Sequence, residues 1–194
     1  VPFRPDFRHP AVKKVFKLST WTIGYALANI AAAQVVQNLA RPGSGNASAY
    51  TLAYTFFQLP HALLAMSVLT TFVPDLAGSV KRADRQGFVD KMSTGVRIVA
   101  LFTVPAGFGL FALRRPILGA LLQHGRFTSL DALVTSRALA GFALGLGGFS
   151  IYLFALRGFY SHQDTKTAFT LNLFENAFNI LFAVILVHRF GVLG

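Results

Sequence analysis

Long apolar stretches alternate with short polar clusters along the chain, and this alternation predicts membrane helices. One such block, 138–156, carries no charged side chain and is followed at once by a polar, basic cluster at 157–166. A helix that crosses the roughly 30 Å hydrocarbon core of a bilayer needs about 20 apolar residues. The block therefore predicts a membrane-spanning helix that leaves the bilayer into a short basic turn.

The same plan recurs and predicts an all-α, polytopic transmembrane helix bundle. Residues 1–17 are predicted as a basic, interfacial segment on the cytoplasmic side, and 18–194 as a single membrane domain. Five spans are expected, at 18–40, 49–73, 94–113, 131–160 and 167–187. Pro, Gly and charged residues predict loops between them, at 41–48, 77–91 and 124–129. Because the chain lacks an initial Met and stops just after an apolar run, we expect a piece of a longer protein.

Composition supports a membrane protein. Only 13% of the residues are charged, about half of the roughly 25% typical of soluble domains. The net charge of +11 would indicate nucleic acid in a soluble protein. Here the basic residues lie between apolar blocks, so positive-inside topology and anionic lipid explain them, and no nucleic-acid partner is expected. The absence of Cys excludes a disulfide framework and a thiolate nucleophile.

The distribution of basic residues predicts an orientation. If the spans alternate and the N-terminus is cytoplasmic, the cytoplasmic side collects twice as many Lys and Arg residues as the other side. The cytoplasmic set is Arg4, Arg8, Lys13, Lys14, Lys17, Lys81, Arg82, Arg85, Lys91, Arg97, Arg157 and Lys166. This bias predicts five spans with the N-terminus inside.

A polar stripe in the last span is the first candidate site. Glu175 is the one carboxylate well inside a span, and Asn179 lies one helical turn later on the same face. Asn172 and Asn176 extend the stripe. Carboxylate and amide oxygens suit a hard cation such as Na⁺. The alternatives are coupling to Na⁺ or H⁺, with no other cofactor, and a structural pair with an Arg or a backbone group.

The first span is also unusually polar, with Asn29 and Gln34 among its amides. In lipid such side chains need partners, so they either join helices or line a cavity. Pro60 near the middle of the second span predicts a kink that can act as a hinge. Gly141 and Gly145 form a G-x-x-x-G pair that permits close helix approach.

Three arginines lie nearest the bilayer: Arg157, Arg137 and Arg97. A guanidinium matches phosphate geometry, so Arg157 and Arg137 are candidates for an anionic headgroup; the alternative is snorkelling anchors. His162 and Asp164 lie in a turn without an adjacent nucleophile. No phosphate loop, metalloprotease motif or nucleophile elbow is present, so we expect no enzymatic activity.

One segment carries a family resemblance. LRGFYSHQDTKTAF, residues 156–169, resembles the R-x-F-Y-A-x-x-D-T-[RK]-T-P signature of the MurJ/MviN family of lipid II flippases. Residues 57–77 resemble the second helix of that family's C-terminal lobe, including its proline spacing. Residues 6–19 resemble the family's cytoplasmic approach to its seventh helix. The resemblance covers essentially the whole chain and implies helices 7–11 of a fourteen-helix transporter.

The resemblance implies a MOP-superfamily fold of two six-helix lobes around a central cavity in the bacterial cytoplasmic membrane. It implies alternating access that carries a lipid-linked peptidoglycan precursor, with the N-terminal lobe as an intramolecular partner. Some members bind a cation in the second lobe. Asn179 falls where the family often has a polar residue, and Gln34 lies near an acidic position. The alternatives are an exporter of another lipid-linked or amphipathic substrate and a non-transporting scaffold for cell-wall enzymes.

The chain departs from the family pattern at three places. Many members have Ala-Asp-Arg where this chain has Ala53-Tyr54-Thr55, and that arginine is thought to serve the headgroup. Ala168 replaces the proline of the signature. An amide replaces the acid of the seventh helix. The resemblance therefore does not place headgroup contact or ion coupling at these positions.

Overall fold

A computed structural model describes residues 10–40, 46–123 and 127–190. Within these ranges every regular element is helical, which confirms the all-α fold. The elements are α1 Pro10–Ala40, α2 Asn46–Pro60, a π-helical turn His61–Ala65, α3 Met66–Lys81, α4 Arg85–Leu122, α5 Ser129–Ser161 and α6 Thr165–Phe190. The π-turn joins α2 and α3 without a break, so the described residues form five long helices.

Four helical segments of the described chain are long and apolar enough to cross a membrane: Ala47–Lys81, α4, α5 and Thr165–Ile185 of α6. Helix α1 has 31 residues, about 46 Å at 1.5 Å per residue, but its Asn, Gln, Thr and Lys side chains lower its hydropathy. The predicted first span, 18–40, is helical throughout and stays a prediction as a span. Residues 1–9 of the predicted interfacial segment lie outside the described residues, as do 41–45 and 124–126 of the predicted loops.

Three predicted helix boundaries differ from those in the structure. The loop predicted at 77–91 shrinks to residues 82–84, because α3 continues to Lys81 and α4 begins at Arg85. Helix α4 continues to Leu122, past the predicted end at 113, through Pro105 and Pro116. Each proline removes only one backbone donor, so a long helix can pass through it. The 38 residues of α4 span about 57 Å, so the helix extends well beyond the hydrocarbon core.

The turns before α4 and α6 are copies of one structure. Ala83 and Gln163 adopt positive φ angles of 55° and 59°. Asp84 and Asp164 follow them, and each carboxylate accepts the backbone N–H three residues later, at 2.8 and 3.0 Å. Four backbone hydrogen bonds of the first turn have counterparts in the second at a constant offset of 80 positions, and the second turn adds one from the His162 N–H to the Phe159 carbonyl. Each Asp therefore caps a helix and closes a tight hairpin.

The α4–α5 interface forms through small residues. A Cβ added at Gly107 would lie 2.6 Å from the carbonyl oxygen of Ala143, and one added at Gly95 would lie 2.0 Å from the ring of Phe154. Phe154 is fully buried in an apolar cluster with Leu69, Leu76 and Val99. Lipid tails are as apolar as the side chains of the helices, so the hydrophobic effect does not drive helices together within a membrane. Van der Waals contact at such close approach contributes to helix association instead.

The predicted G-x-x-x-G pair does not make this contact. Among the described residues, nothing lies within 4 Å of a Cβ added at Gly141 or Gly145. Gly147 serves instead, since its added Cβ would meet the Val104 side chain at 2.8 Å. Glycine spacing alone does not say which side of a helix faces its neighbour.

Candidate functional site

Three asparagines join α1 to α6 in a buried amide cluster. Asn29 and Asn172 exchange hydrogen bonds: Nδ2 of Asn29 donates to Oδ1 of Asn172 at 3.0 Å, and the reverse bond is 3.4 Å. Asn176 Nδ2 donates to Oδ1 of Asn172 at 3.1 Å and to its backbone carbonyl at 3.0 Å. Asn172 is only 1% exposed. The predicted polar stripe of α6 therefore finds a hydrogen-bond partner in Asn29 of α1.

Glu175 lies at the edge of this cluster. It is half-buried and accepts a hydrogen bond from Asn172 Nδ2 at 3.3 Å. The Tyr152 hydroxyl of α5 is buried and has no hydrogen-bond partner among the described atoms. The structure thus gives Glu175 an amide partner. The predicted alternative partners, an Arg or a backbone group, are not among its hydrogen-bond donors within the described residues.

A groove of about 370 Å³ runs beside the cluster, between α1, α2 and α6. It is lined by Asn29, Ile30, Ala32, Ala33, Val36, Gln37, Tyr50, Tyr54, Asn176 and Asn179. The predicted site residues Asn29 and Asn179 therefore meet here. Gln34 is exposed on α1 and does not line the groove, whereas Gln37, one turn later, does.

Sequence reasoning missed the aromatic wall of the groove. Tyr50 and Tyr54 pack on the Phe142 ring of α5, with centroids 5.1 and 5.6 Å apart. Tyr54 also stacks on Phe57. Tyr54 was noted only as a departure from the family pattern. The i, i+4 spacing of Tyr50 and Tyr54 was the one signal that placed both on a single helix face.

A second cleft, of about 470 Å³, lies between the ends of α3 and α5. Its lining is Val73, Ala77, Val80, Lys81, Arg157, Tyr160, Ser161, His162 and Gln163. Arg157 is half-buried there, with its guanidinium carbon 5.9 Å from the centre of the Tyr160 ring. The cleft and the groove share no lining residue.

The structure separates the two predicted headgroup arginines. Arg137 is exposed near the start of α5 and Arg157 lies near its end. Twenty residues of α-helix lie between them, about 30 Å at 1.5 Å per residue. Arg137 and Arg157 therefore do not bind one phosphate group together.

The turn beside the cleft is held by polar contacts. Hydrogen bonds from the side chain and the backbone N–H of Thr167 hold the pKa of Asp164 below its usual range, and the charge of Lys166 adds to this. His162 donates from Nδ1 to the Gly158 carbonyl at 3.0 Å, and its ring packs edge-on against Phe88 of α4, with centroids 4.6 Å apart. The two hairpins are thereby joined at this end.

Pro60 ends α2 and is followed directly by the π-turn His61–Ala65. Buried His61 places Nδ1 2.9 Å from the Ser150 hydroxyl of α5, and its ring packs on Phe149. Local π-helical geometry is one way in which membrane helices accommodate proline. The structure thus shows a helix irregularity at Pro60; the hinge stays a prediction.

These features define a multi-pass α-helical membrane protein. The outer faces of α4 and α6 carry exposed large apolar side chains such as Leu101, Phe108 and Phe178, as contact with lipid requires.

Comparison with known proteins gives the family. The family model described as lipid II flippase MurJ matches residues 1–194, so the chain belongs to the MurJ family, and the resemblance drawn from residues 156–169 is confirmed. The chain is 32% identical to the lipid II flippase MurJ of Thermosipho africanus over 142 residues, 73% of this chain and 29% of that protein. The lipid II flippase MurJ of Burkholderia cenocepacia is 29% identical over 161 residues, 82% of this chain and 31% of that protein. The chain thus spans under a third of the length of these curated relatives.

Proposed function

We propose that the full-length protein containing this chain moves the lipid-linked peptidoglycan precursor lipid II across the bacterial cytoplasmic membrane by alternating access. The family match over the whole chain carries this proposal. The amide-lined groove within an apolar bundle supports it, because a polar headgroup needs hydrogen-bonding partners along its path through hydrocarbon. The chain contributes part of that path, and the N-terminal lobe supplies the rest.

Within this proposal, the groove and the amide cluster serve the headgroup and a coupling cation. The oxygens of Glu175, Asn29 and Asn179 are the donor type that Na⁺ takes, and a carboxylate can also carry H⁺. The described residues hold no group of three or more His, Cys, Asp or Glu that would suit a transition metal. Gln34 and Arg137 are both exposed, so they contribute to the site only where helices outside this chain pack against them. The π-helical turn after Pro60 supplies the hinge.

The test is rescue of cells depleted of their lipid II flippase. We expect the full-length parent to restore growth, and a Glu175→Gln variant to reduce rescue while inserting normally. Failure of the parent, with membrane insertion confirmed, would favour another lipid-linked substrate. Normal rescue by Glu175→Gln, together with loss of rescue on truncating cytoplasmic loops, would favour the scaffold role.

We also propose a cytoplasmic N-terminus, which places both hairpin turns on the cytoplasmic side. The many basic residues near these turns support this orientation. Since the chain has no Cys, single cysteines can be placed in it once any cysteines elsewhere in the parent have been replaced. A membrane-impermeant thiol reagent applied to intact cells should label Gln123→Cys, at the far end of α4, and spare Gln86→Cys. The reverse pattern overturns the orientation.

A further inference from the structure

His61 is a buried titratable residue near the middle of a membrane span, and the proposed transport gives it no role. It lies 14 positions after the first residue of the span Ala47–Lys81, about 21 Å along the helix at 1.5 Å per residue. The residue is only 8% exposed. Ionisable residues are rare inside membrane spans because they are costly there, and those that occur usually serve a function.

A single polar contact fixes His61 to α5. Its ring nitrogen Nδ1 lies 2.9 Å from the hydroxyl oxygen of Ser150, which is fully buried. The imidazole also packs edge-on against Phe149, with ring centroids 5.1 Å apart. Among the described residues, this is the one side-chain hydrogen bond between the span 47–81 and α5. The rest of that interface is held by packing.

The contact lies midway between two separate apolar clusters. Phe57, four positions before it on the span, belongs to one cluster together with Leu146 of α5. Ala65, four positions after it, belongs to the other together with Phe154 of α5. Leu146 and Phe154 are themselves four positions either side of the serine. The two halves of the span are thus packed in different clusters, and the hydrogen bond marks the boundary between them.

The backbone is irregular at the same point. Pro60 has no N–H to donate, and the next five residues, His61–Ala65, form the π-turn. The N–H of Met66 donates to the His61 carbonyl five positions back, where an α-helix would bond four positions back. Single π-turns of this kind occur frequently at functional sites. Because the backbone here is irregular, the side-chain contact with α5 is what holds the turn in one orientation.

The contact suits a neutral imidazole. The helices packed against the π-turn bring no charged side chain of the described residues close enough to act on the ring. The titratable groups that come closest in sequence to the contact are Tyr54 and Asp75 on the same span, Arg97 on α4 and Tyr152 on α5. An imidazolium at this position would be a buried charge with one hydroxyl partner and no counter-charge, which is strongly unfavourable. Protonation of His61 therefore favours an arrangement in which its ring leaves α5 and reaches water.

We propose that His61 and Ser150 form a latch that protonation releases. The neutral pair fixes the π-turn on α5. When His61 takes a proton from water, both ring nitrogens carry hydrogen and the charged ring withdraws from α5, so that α3 is free to change its angle to α2. Because the released form binds the proton more tightly, its population rises as the pH falls, by at most about tenfold per pH unit for one proton. The latch rests on the proposed hinge at this turn, but not on the identity of the transported molecule.

Hydrogen–deuterium exchange measures release of the turn. The readout is exchange of the backbone amides of 61–69, followed by mass spectrometry on the full-length protein in lipid nanodiscs. We expect Ser150→Ala to speed this exchange about fivefold, the ratio that corresponds to one lost hydrogen bond. Ser136→Ala is the matched control and should leave this exchange unchanged, because Ser136 is buried on the same helix but donates to the Leu133 carbonyl within α5 at 2.8 Å. Equal exchange in the two variants overturns the latch.

A conservative variant at the same position tests the proton. His61→Asn places an amide atom where Nδ1 lies, and it does not titrate in the range of about pH 5 to 8 in which His changes its charge. The exchange rate of the parent is divided by that of His61→Asn at equal pH, so that the intrinsic pH dependence of exchange cancels. We expect this ratio to rise at least about fivefold from pH 8 to pH 5. A ratio that does not change with pH overturns release by protonation.

A double variant tests whether the two residues act together. His61→Phe keeps an aromatic ring against Phe149 but has no ring nitrogen, so it should match Ser150→Ala. The double variant should exchange no faster than either single variant, since both remove the same contact; additive acceleration overturns the latch. Rescue of flippase-depleted cells is measured separately. Failure of the parent to rescue contradicts the proposed transport without altering these exchange ratios, so the two failures are distinguishable.

Discussion

Helices α4 and α6 begin at closely similar turns and in the same register, but the side chains on their corresponding faces differ. Counted from the capping Asp84 or Asp164, the same four positions face the neighbouring helices. These positions hold Met92, Gly95, Val96 and Val99 in α4, and Asn172, Glu175, Asn176 and Asn179 in α6. The α4 set packs into the apolar cluster around Phe154. The α6 set forms the amide cluster and the wall of the groove.

The turn determines the orientation of the helix that follows it, but not which side chains that helix presents to its neighbours. The capped turn sets which face of the following helix is directed inward, since it fixes the first helical residue. The side chains on that face then decide whether contact is made by close packing or by hydrogen bonds. In a membrane both are effective, since helix association there is driven by van der Waals packing and by hydrogen bonds between helices.

Overpacking the α4 face should have the largest effect. Gly95→Val places carbon where the buried ring of Phe154 lies, and we expect a loss of about 2–3 kcal/mol in the free energy of unfolding. Gly109→Val on the same helix is the control, since its added Cβ meets no described atom within 4 Å. Thermal unfolding of the detergent-solubilised full-length protein measures both. Equal melting temperatures for the two variants would contradict the close contact.

Removing an amide from the α6 face should have an intermediate effect. Asn172→Ala leaves Asn29 and Asn176 without their Asn172 side-chain partner, and we expect a loss of about 1–2 kcal/mol. A double-mutant cycle with Asn29→Ala should show a coupling of about 0.6–1.7 kcal/mol. Asn179→Ala, exposed on the same helix, serves as the control. Additive losses would mean that the two asparagines do not act together.

The smallest effect concerns the α6 cap and depends on pH. The folded-state pKa of Asp164 is depressed by Thr167, so its stabilising contribution is present above the ordinary Asp pKa of about 3.9 and is lost as the pH falls through the depressed value. The stability difference between the parent and Asp164→Ala should therefore be constant near neutral pH and shrink below about pH 4. Thermal unfolding across that range measures it, and a gap that does not change with pH would contradict the assignment.

Much of the fold follows from hydrophobic pattern. The long apolar blocks located all five helices of the described residues. Thr128 caps α5 and forms a capping box with Asp131. Helix ends were harder, because Arg114 and Pro116 resemble a stop signal. The Arg114 side chain instead donates to the carbonyl of Phe111 within its own helix. A charged residue near a membrane helix end therefore marks the interface rather than the end of the helix.

The candidate site was predictable only within single helices. The stripe of Asn172 and Asn176 follows from helical spacing, but its partner Asn29 lies 143 positions away in sequence. No local pattern pairs α1 with α6. The same reason hid the His61–Ser150 contact. Residues that meet across helices are found from the packing, and the packing depends on every helix at once.

The repeated hairpin turn has a consequence for how the cleft can change during evolution. Leu76, Gly78 and Asp84 in one copy correspond to Leu156, Gly158 and Asp164 in the other, and both leucines are buried. The positions between them, Ala77 and Val80 against Arg157 and Tyr160, line the cleft from opposite walls. Substitutions at these four positions alter the chemistry of the cleft without touching the leucine, glycine or aspartate that build the turn. With the same turn on both sides, the side chains of one wall can change while the other wall keeps its own.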